Sequence, residues 1–278
     1  MSGFQLRSGR VCSPLLRFEG GRAIVGTYEE QVDPIIGTLE EIQSRGHSYW
    51  TVYTDWLDLM MYALQGDDDS YLEVVERYDN DRPQGEREID LYSQAFGQLQ
   101  QGMAATNVDL LGEVYEQMAM TSDAFGQYFT PQHVCDAIAA MTMTFEDTSK
   151  YTRTNPPTIA DPACGSGRLL VYAAKNAPED VPRVVYYGKD KDVTCAKMTA
   201  LNMCLFNMSG YAVHGDSLKV ERRRVWATQS TALGGEIREL AEDEFTEADE
   251  NDNEDQQQRE ERANAVNLRE ATLTEFQQ

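Results

Sequence analysis

The chain has 278 residues, enough for one large or two modest domains, and its 41% hydrophobic content suffices for a packed core. Its 24 Lys and Arg stand against 47 Asp and Glu; the formal net charge of −23 argues against holding nucleic acid through a generally basic surface. No run approaches the roughly 18 uncharged apolar residues of a membrane span, and no apolar leader with a small-residue cleavage site opens the sequence, so the expected location is the cytoplasm.

The five cysteines (Cys12, Cys135, Cys164, Cys195, Cys204) form no CxxC pair, and His47, His133 and His214 lie far apart. Reduced thiols and no metal site are expected. Six of the basic residues are Lys and the rest Arg. Acid spread along a Lys-poor chain fits a cytosol of very high salt. There the Debye length falls to about 3 Å or less, and net charge says little against DNA binding.

Residues 1–26 show no clear periodicity, with a strand-like stretch at Arg22–Gly26. From Tyr28 to Gln65 the pattern is helical. Ile35, Ile36, Leu39 and Ile42 recur at three and four, and Trp50, Tyr53, Trp56, Leu57, Met60, Met61 and Leu64 make a broad apolar stripe suited to core packing. Gly66-Asp67-Asp68-Asp69 breaks it. Tyr71–Tyr78 reads as a short helix, Asp79–Arg87 as a polar loop, and Ile89–Met103 and Val108–Ala119 as two more helices, the second capped by Asn107 or Asp109. Residues 1–120 are therefore expected to form an α-helical domain.

The pattern changes after Phe125. Gly126-Gln127-Tyr128-Phe129-Thr130-Pro131 is turn-like, and Pro131 suits the first turn of a helix whose apolar face is expected at Val134, Ile138 and Met141. Thr158-Ile159-Ala160 is a strand ending in Asp161-Pro162-Ala163-Cys164-Gly165-Ser166-Gly167, followed by a helix at Arg168–Asn176. Arg183–Gly188 is a second strand, ending in Lys189-Asp190. Val193–Met208 is a long helix, and Tyr211–His214 a third strand, ending in Gly215-Asp216-Ser217-Leu218. Strands alternating with helices predict a parallel sheet with crossover helices over residues 121–240. Val220–Arg238 is mixed. Glu242–Arg262 holds eleven acids, two arginines and almost nothing apolar, which predicts a solvated, disordered segment within a 241–278 tail. Ala263–Phe276 has the pattern of a short terminal helix.

The Gly-x-Gly turn lies between a strand and a helix, where glycines let backbone approach a ligand closely. Leu170 stands where a dinucleotide fingerprint needs its third glycine, and no Gly-Lys-Ser/Thr phosphate loop is present. Asp161, Asp190 and Asp216 close three successive strands, at the end where open α/β sheets bind ligands. Three such carboxylates suit a donor-rich ligand carrying an amine, a ribose and an adenine amino group. S-adenosylmethionine has all three. The alternative, that each aspartate only caps the helix after it, stays open on these residues alone.

Residues 109–218 resemble the N6-adenine DNA methyltransferases of the type I restriction–modification kind. Asp109–Glu116 (DLLGEVYE) is similar to their lead-in helix and Gly126–Pro131 to their Gly-Gln-Phe/Tyr-Tyr/Phe-Thr-Pro motif. Asp161–Gly167 matches their Asp-Pro-Ala-Cys-Gly-Ser-Gly loop, Gly188-Lys189-Asp190 sits where they carry Gly-x-Glu, and Gly215–Leu218 matches their third-strand end. The resemblance implies a Rossmann-like methyltransferase sheet behind a helical N-terminal domain, an α/β fold, with S-adenosylmethionine as cofactor. It places Phe129 and Thr130 at the methionine end, Asp161, Gly165 and Gly167 on the amino acid moiety, Asp190 on the ribose and Asp216 on the adenine amino group. Tyr128, Pro162, Ala163 and Ser217 complete the expected cofactor-binding set. DNA is the implied substrate, and a specificity subunit or second methylase subunit the implied partner.

The chain departs from that family in one respect. Such enzymes carry Asn/Asp-Pro-Pro-Tyr/Phe at the end of a fourth strand, where it holds a flipped adenine. Here no proline follows Pro182. Asn155-Pro156-Pro157-Thr158 precedes the first strand, at the edge opposite Asp161, and lacks the ring; it reads as a loop. No catalytic residue is assigned. Arg222-Arg223-Arg224 beside Trp226 is a small basic–aromatic cluster, read chiefly as a solvated turn. An enzyme completed by a partner and a catalytically degenerate S-adenosylmethionine-binding accessory protein are both compatible with these features.

Overall fold

The computed structural model describes residues 28–120, 128–143, 148–178, 181, 183–242 and 244. The strand expected at 22–26, Gly126-Gln127, Cys12, the acidic stretch beyond residue 244 and the helix expected at 263–276 lie outside the described residues.

The helices of the first half are α1 (Tyr28–Ser44), α2 (Tyr49–Gln65), α3 (Asp68–Val75), α4 (Glu88–Thr106) and α5 (Leu110–Met120). Side-chain chemistry fixes their ends. Ser48 caps α2 by accepting from the Thr51 amide, and Gly66 stops it in the left-handed conformation that costs glycine nothing. Asp109 caps α5 through Oδ1, which accepts from the Gly112 amide at 2.8 Å; Asn107 instead ends α4. The aromatic stripe is core: Tyr53, Trp56 and Leu57 are fully buried, Leu64 is half-buried, and Trp50 turns partly outward.

The second half contains α6 (Gln132–Thr142), β1 (Thr158–Asp161), α7 (Arg168–Lys175), β2 (Val185–Asp190), α8 (Val193–Leu205), β3 (Ser209–His214), β4 (Arg224–Thr231) and β5 (Gly234–Glu239). The sheet runs β1-β2-β3-β4-β5. β1, β2 and β3 are parallel, as the alternation of strands and helices predicts, and the fold is α/β with a Rossmann-like parallel half-sheet. Ile159, Tyr186, Gly210, Thr228 and Ile237 are in register and share one face, against which α7 and α8 pack. The next row, Ala160, Tyr187, Tyr211 and Ala227, points to the opposite face, where Ala160 and Tyr211 are exposed.

Ten of the thirteen residues of α8 are buried, because the helix is covered by the sheet on one side and by α2 and α5 on the other. Tyr53 marks this junction: its hydroxyl donates to the Leu111 carbonyl of α5 and contacts Met198 Sδ of α8, both at 3.0 Å. The helical layer and the sheet thus share one apolar core.

Two expectations need correction. The buried face of α6 is Gln132, Cys135 and Ala139; Ile138 is 38% and Met141 79% exposed. Both sets have helical spacing, and the small side chains of Cys135 and Ala139 allow the close approach of α7 that the bulkier set would block. The mixed stretch Val220–Arg238 is a β-hairpin. β4 pairs antiparallel with β3, and the two-residue turn Ala232-Leu233 returns the chain into β5. Arg224–Thr231, rich in β-branched and aromatic residues and followed by a Gly-Gly step, carries the hairpin signal that helical periodicity masks.

Candidate functional site

β1 is short because Pro162 removes the next backbone donor, and the chain turns over the sheet edge. The turn stays tied to β2: the Cys164 amide donates to the Lys189 carbonyl at 3.1 Å, and the Gly165 amide donates to Asp190 Oδ2 at 3.0 Å. Gly165 (φ +55°) and Gly167 (φ +81°) hold left-handed conformations, and Gly167 opens α7. A Cβ at Gly165 would come within 2.7 Å of the Phe129 ring, and one at Gly167 within 3.0 Å of Thr199 Oγ1. The loop is therefore closed to side chains and presents backbone.

Asp161, Asp190 and Asp216 stand at or just beyond the carboxyl ends of adjacent parallel strands. Each first serves its own turn. Asp161 Oδ1 accepts from Ala163, Asp190 accepts from Gly165 and Asp192, and Asp216 Oδ1 accepts from Leu218 and, at 3.3 Å, Lys219. These bonds close turns and do not cap the helices that follow, since α7 opens at Gly167 and α8 is capped by Asp192; a carboxylate offers about four acceptor sites and these bonds leave some unused. Among the described residues neither Asp161 nor Asp190 has an ion-pair partner, whereas Asp216 has Lys219 at 3.7 Å. Burial, reinforced by the Asp190 carboxylate and partly offset by the Ala163 amide, pushes the Asp161 pKa up from the usual carboxylate range. Such a group gains from a cationic neighbour.

The segment from 128 to 131 closes one side of the site. The Phe129 ring lies over Gly165 and 5.4 Å from the Tyr115 ring, and its amide donates to Glu116 Oε1 at 2.7 Å. The Thr130 carbonyl accepts from Arg168 Nη1 at 3.0 Å. Tyr128, by contrast, is 85% exposed and is not brought against the loop. Pro162 and Ala163 are exposed at the crest of the turn. Ser217 Oγ donates to the Pro162 carbonyl at 2.6 Å, pinning the β3 turn to the loop. On the face opposite α7 and α8, a recess of about 210 Å³ is lined by Ala160, Pro162, Tyr187, Lys189, Ser217, Val220 and Arg222.

The rest of the basic–aromatic cluster is structural. Trp226 is fully buried with Nε1 donating to Glu239, Arg224 makes a two-pronged pair with Glu239 at 2.6 Å, and Arg223 pairs with Glu221. Asn155 lies in the turn before β1, its amides donating to Thr152 and Lys150, at the far end of that strand from Asp161.

Sequence reading missed Arg168, Asp109 as more than a cap, Glu116 and Asn202. Their side chains form a buried polar cluster directly behind the glycine loop. One signal was available: an arginine at the head of a largely apolar helix, three and four residues before Val171 and Tyr172 on its buried face. Burial pushes the Cys164 thiol up to about 12 and the Cys135 thiol up to about 11, so neither is a thiolate nucleophile near neutral pH. Among the described residues no group of three or more His, Cys, Asp or Glu is arranged to hold a metal, and no helix is long and apolar enough to cross a membrane. The arrangement suits a donor-rich, cationic ligand lying across the strand ends and against the glycine loop.

Residues 106–233 match the family model of the N-6 DNA methylases. A curated relative, the type I restriction enzyme MjaVIII methylase subunit of Methanocaldococcus jannaschii, is 29% identical over 135 residues, 47% of this chain and 19% of that protein. The chain thus spans about a fifth of that relative's length. Two solved structures are similar: the type I restriction–modification methyltransferase subunit of Streptococcus thermophilus (17% identity, 66% of this chain and 57% of that one, TM-score 0.35), and a Listeria monocytogenes protein assigned as a class I S-adenosylmethionine-dependent methyltransferase (16% identity, 68% and 55%, TM-score 0.38).

Proposed function

We propose that the chain, whose residues 106–233 match the N-6 DNA methylase family model, binds S-adenosylmethionine at the ends of β1–β3 and takes part in methyl transfer to adenine in DNA. The observation that carries this reading is the convergence on one loop of four segments far apart in sequence. Phe129 lies over Gly165, Asp190 holds the Gly165 amide, Asp161 starts the turn, and Ser217 beside Asp216 holds its crest.

The residues present fit the cofactor. The loop admits no side chain at Gly165 or Gly167, leaving backbone to face a ligand. Asp161, with no ion-pair partner among the described residues and a raised pKa, suits the ammonium group of the methionine end. Asp190 would take the ribose hydroxyls, Asp216 the adenine amino group, and Phe129 and Thr130 would border the methionine end. Tyr128, Pro162, Ala163 and Ser217 remain candidate contacts at the rim. When bound, the cofactor supplies an activated methyl group. The chain's own residues bind it, orient it and exclude water from one side of it.

Adenine has to leave the base stack to reach such a methyl group, and the Asn/Asp-Pro-Pro-aromatic segment that would hold it is missing from this sequence. The base-holding group is therefore expected from a partner, a further methylase subunit, with a specificity subunit to choose the site; the setting is the cytoplasm. The same absence favours a second reading, a degenerate cofactor-binding accessory protein. Mass spectrometry for N6-methyladenine after incubation with DNA and S-adenosylmethionine, with and without candidate partner subunits, separates the two. Product that appears only when a partner is added supports the first reading. No product under any pairing, with cofactor binding intact, supports the second.

A further inference from the structure

We propose that Arg168 is a positioning residue that clamps the Phe129–Thr130 segment onto the glycine loop and so sets affinity for the methionine end of the cofactor. The inference rests on the S-adenosylmethionine reading above and deepens it.

Arg168 is the first residue of α7, and its side chain is 3% exposed. Its guanidinium spends its donors in three directions. Nε donates to Asp109 Oδ2 at 3.1 Å, Nη1 to the Thr130 carbonyl at 3.0 Å, and Nη2 to Glu116 Oε2 at 3.2 Å with Glu113 Oε1 at 2.9 Å. Its centre also lies 5.8 Å from the Phe129 ring centroid. The two anchors of the 129–130 segment therefore meet at one cation: Glu116, which holds the Phe129 amide, and the Thr130 carbonyl itself.

The other end of the cluster holds the loop. Asp109, fully buried, accepts from Ser166 Oγ at 2.6 Å and from Asn202 Nδ2 at 2.8 Å, and Asn202 also donates to the Ser166 carbonyl. Gly112 leaves the room this needs: a Cβ there would lie 2.3 Å from Asp109 Oδ2 and 2.8 Å from Arg168 Nη2. Arg168 is thus the link through which the loop residue Ser166 and the segment residue Phe129 are held at a fixed distance. Only a planar fork reaches this many acceptors; an ammonium on a flexible stem keeps the charge and loses the geometry.

The test is the ratio of two affinities on the full chain, S-adenosylmethionine against methylthioadenosine, which lacks the amino acid moiety. Calorimetry is run on wild type, Arg168→Lys, which keeps the buried charge balanced so the chain still folds, and Glu116→Ala, which frees the Phe129 amide and removes one of the acceptors of Arg168 while leaving Asp109 and the Thr130 carbonyl in place. The expected result is a loss of about tenfold in S-adenosylmethionine affinity for either variant, the worth of one charge-assisted hydrogen bond, with methylthioadenosine affinity held within about twofold. The double variant is expected to lose no more than the worse single one, because both act through the same segment. Equal losses for the two ligands, no loss for either, or fully additive losses would overturn the clamp while leaving the cofactor reading in place. Wild type that binds neither ligand would overturn both.

Discussion

Replacing Asp161 by Ala is expected to weaken S-adenosylmethionine binding by about tenfold to a hundredfold, the range of a lost charge-assisted hydrogen bond to a partly buried ammonium. The effect is electrostatic. Burial and the Asp190 carboxylate raise the Asp161 pKa, so the charged form is held in the free protein at a cost. A cationic ligand relieves that cost, and its binding energy is taken partly from it. The sign for stability is the reverse of the usual carboxylate case. Asp161 contributes stability below the ordinary carboxylate range, and that contribution is lost as pH rises through its raised pKa. At neutral pH the variant should therefore match wild type in stability to within about 1 kcal/mol, the scale of the lost bond to the Ala163 amide. Calorimetric titration and thermal melting of both proteins check the two halves together. Equal cofactor affinity in wild type and variant would remove Asp161 from the site.

Gly210→Ala is expected to be the most damaging single methyl group in the sheet. Gly210 sits in β3 opposite Tyr186 of β2, at φ +157°, and a Cβ built there lies 1.8 Å from the Tyr186 carbonyl oxygen and 2.7 Å from its carbonyl carbon. The obstacle is backbone within a parallel ladder, so the added methyl cannot be accommodated by a rotamer change. It has to part β2 from β3 or force the chain out of register. Backbone strain and the broken pairing together should cost about 3 kcal/mol or more, which for a chain of this size lowers Tm by about 6–12 °C. Gly97→Ala is the matched control. Gly97 lies inside α4 with nothing within 4 Å of its Cβ position, and there the change should stabilise by about 0.5–1 kcal/mol. A Tm for Gly210→Ala equal to wild type would show that β2 and β3 are not paired in this register. The variant should also lose cofactor affinity, because β3 carries the turn that holds Asp216 and Ser217.

The parts of this fold legible in the sequence are those where one physical signal acts alone. Strand-ending aspartates, a Gly-x-Gly turn and short apolar runs mark β1, β2 and β3 because parallel strands packed under helices on one face are rich in apolar residues and open α/β sheets bind ligands at their carboxyl ends. The hairpin of β4 and β5 was hidden because its strands are half-exposed at the sheet's margin, where Gln229, Ser230, Glu236 and Arg238 dilute the alternation. The α6 face was misread because apolarity and burial part company there. Cys135 and Ala139 are buried for their small size, while Ile138 and Met141 are left exposed. The site divides in the same way. Asp161, Asp190 and the loop glycines are local signals. Arg168 gains its meaning only when Asp109, Glu113 and Glu116 on α5 are brought to it by tertiary packing, and no spacing in one dimension records that. Tyr128, placed in the candidate set by its neighbours, projects into solvent instead.

In the proposed function the carboxyl ends of β1, β2 and β3 form one cleft for a sulfonium nucleoside. Titration of the wild-type chain with S-adenosylmethionine in an isothermal calorimeter tests it most directly. Saturable one-to-one binding in the range of about 1–100 μM, weakening as pH falls through the raised pKa of Asp161, is the expected result. A folded protein that takes up no cofactor at millimolar concentration would show that the strand-end aspartates do not form such a cleft.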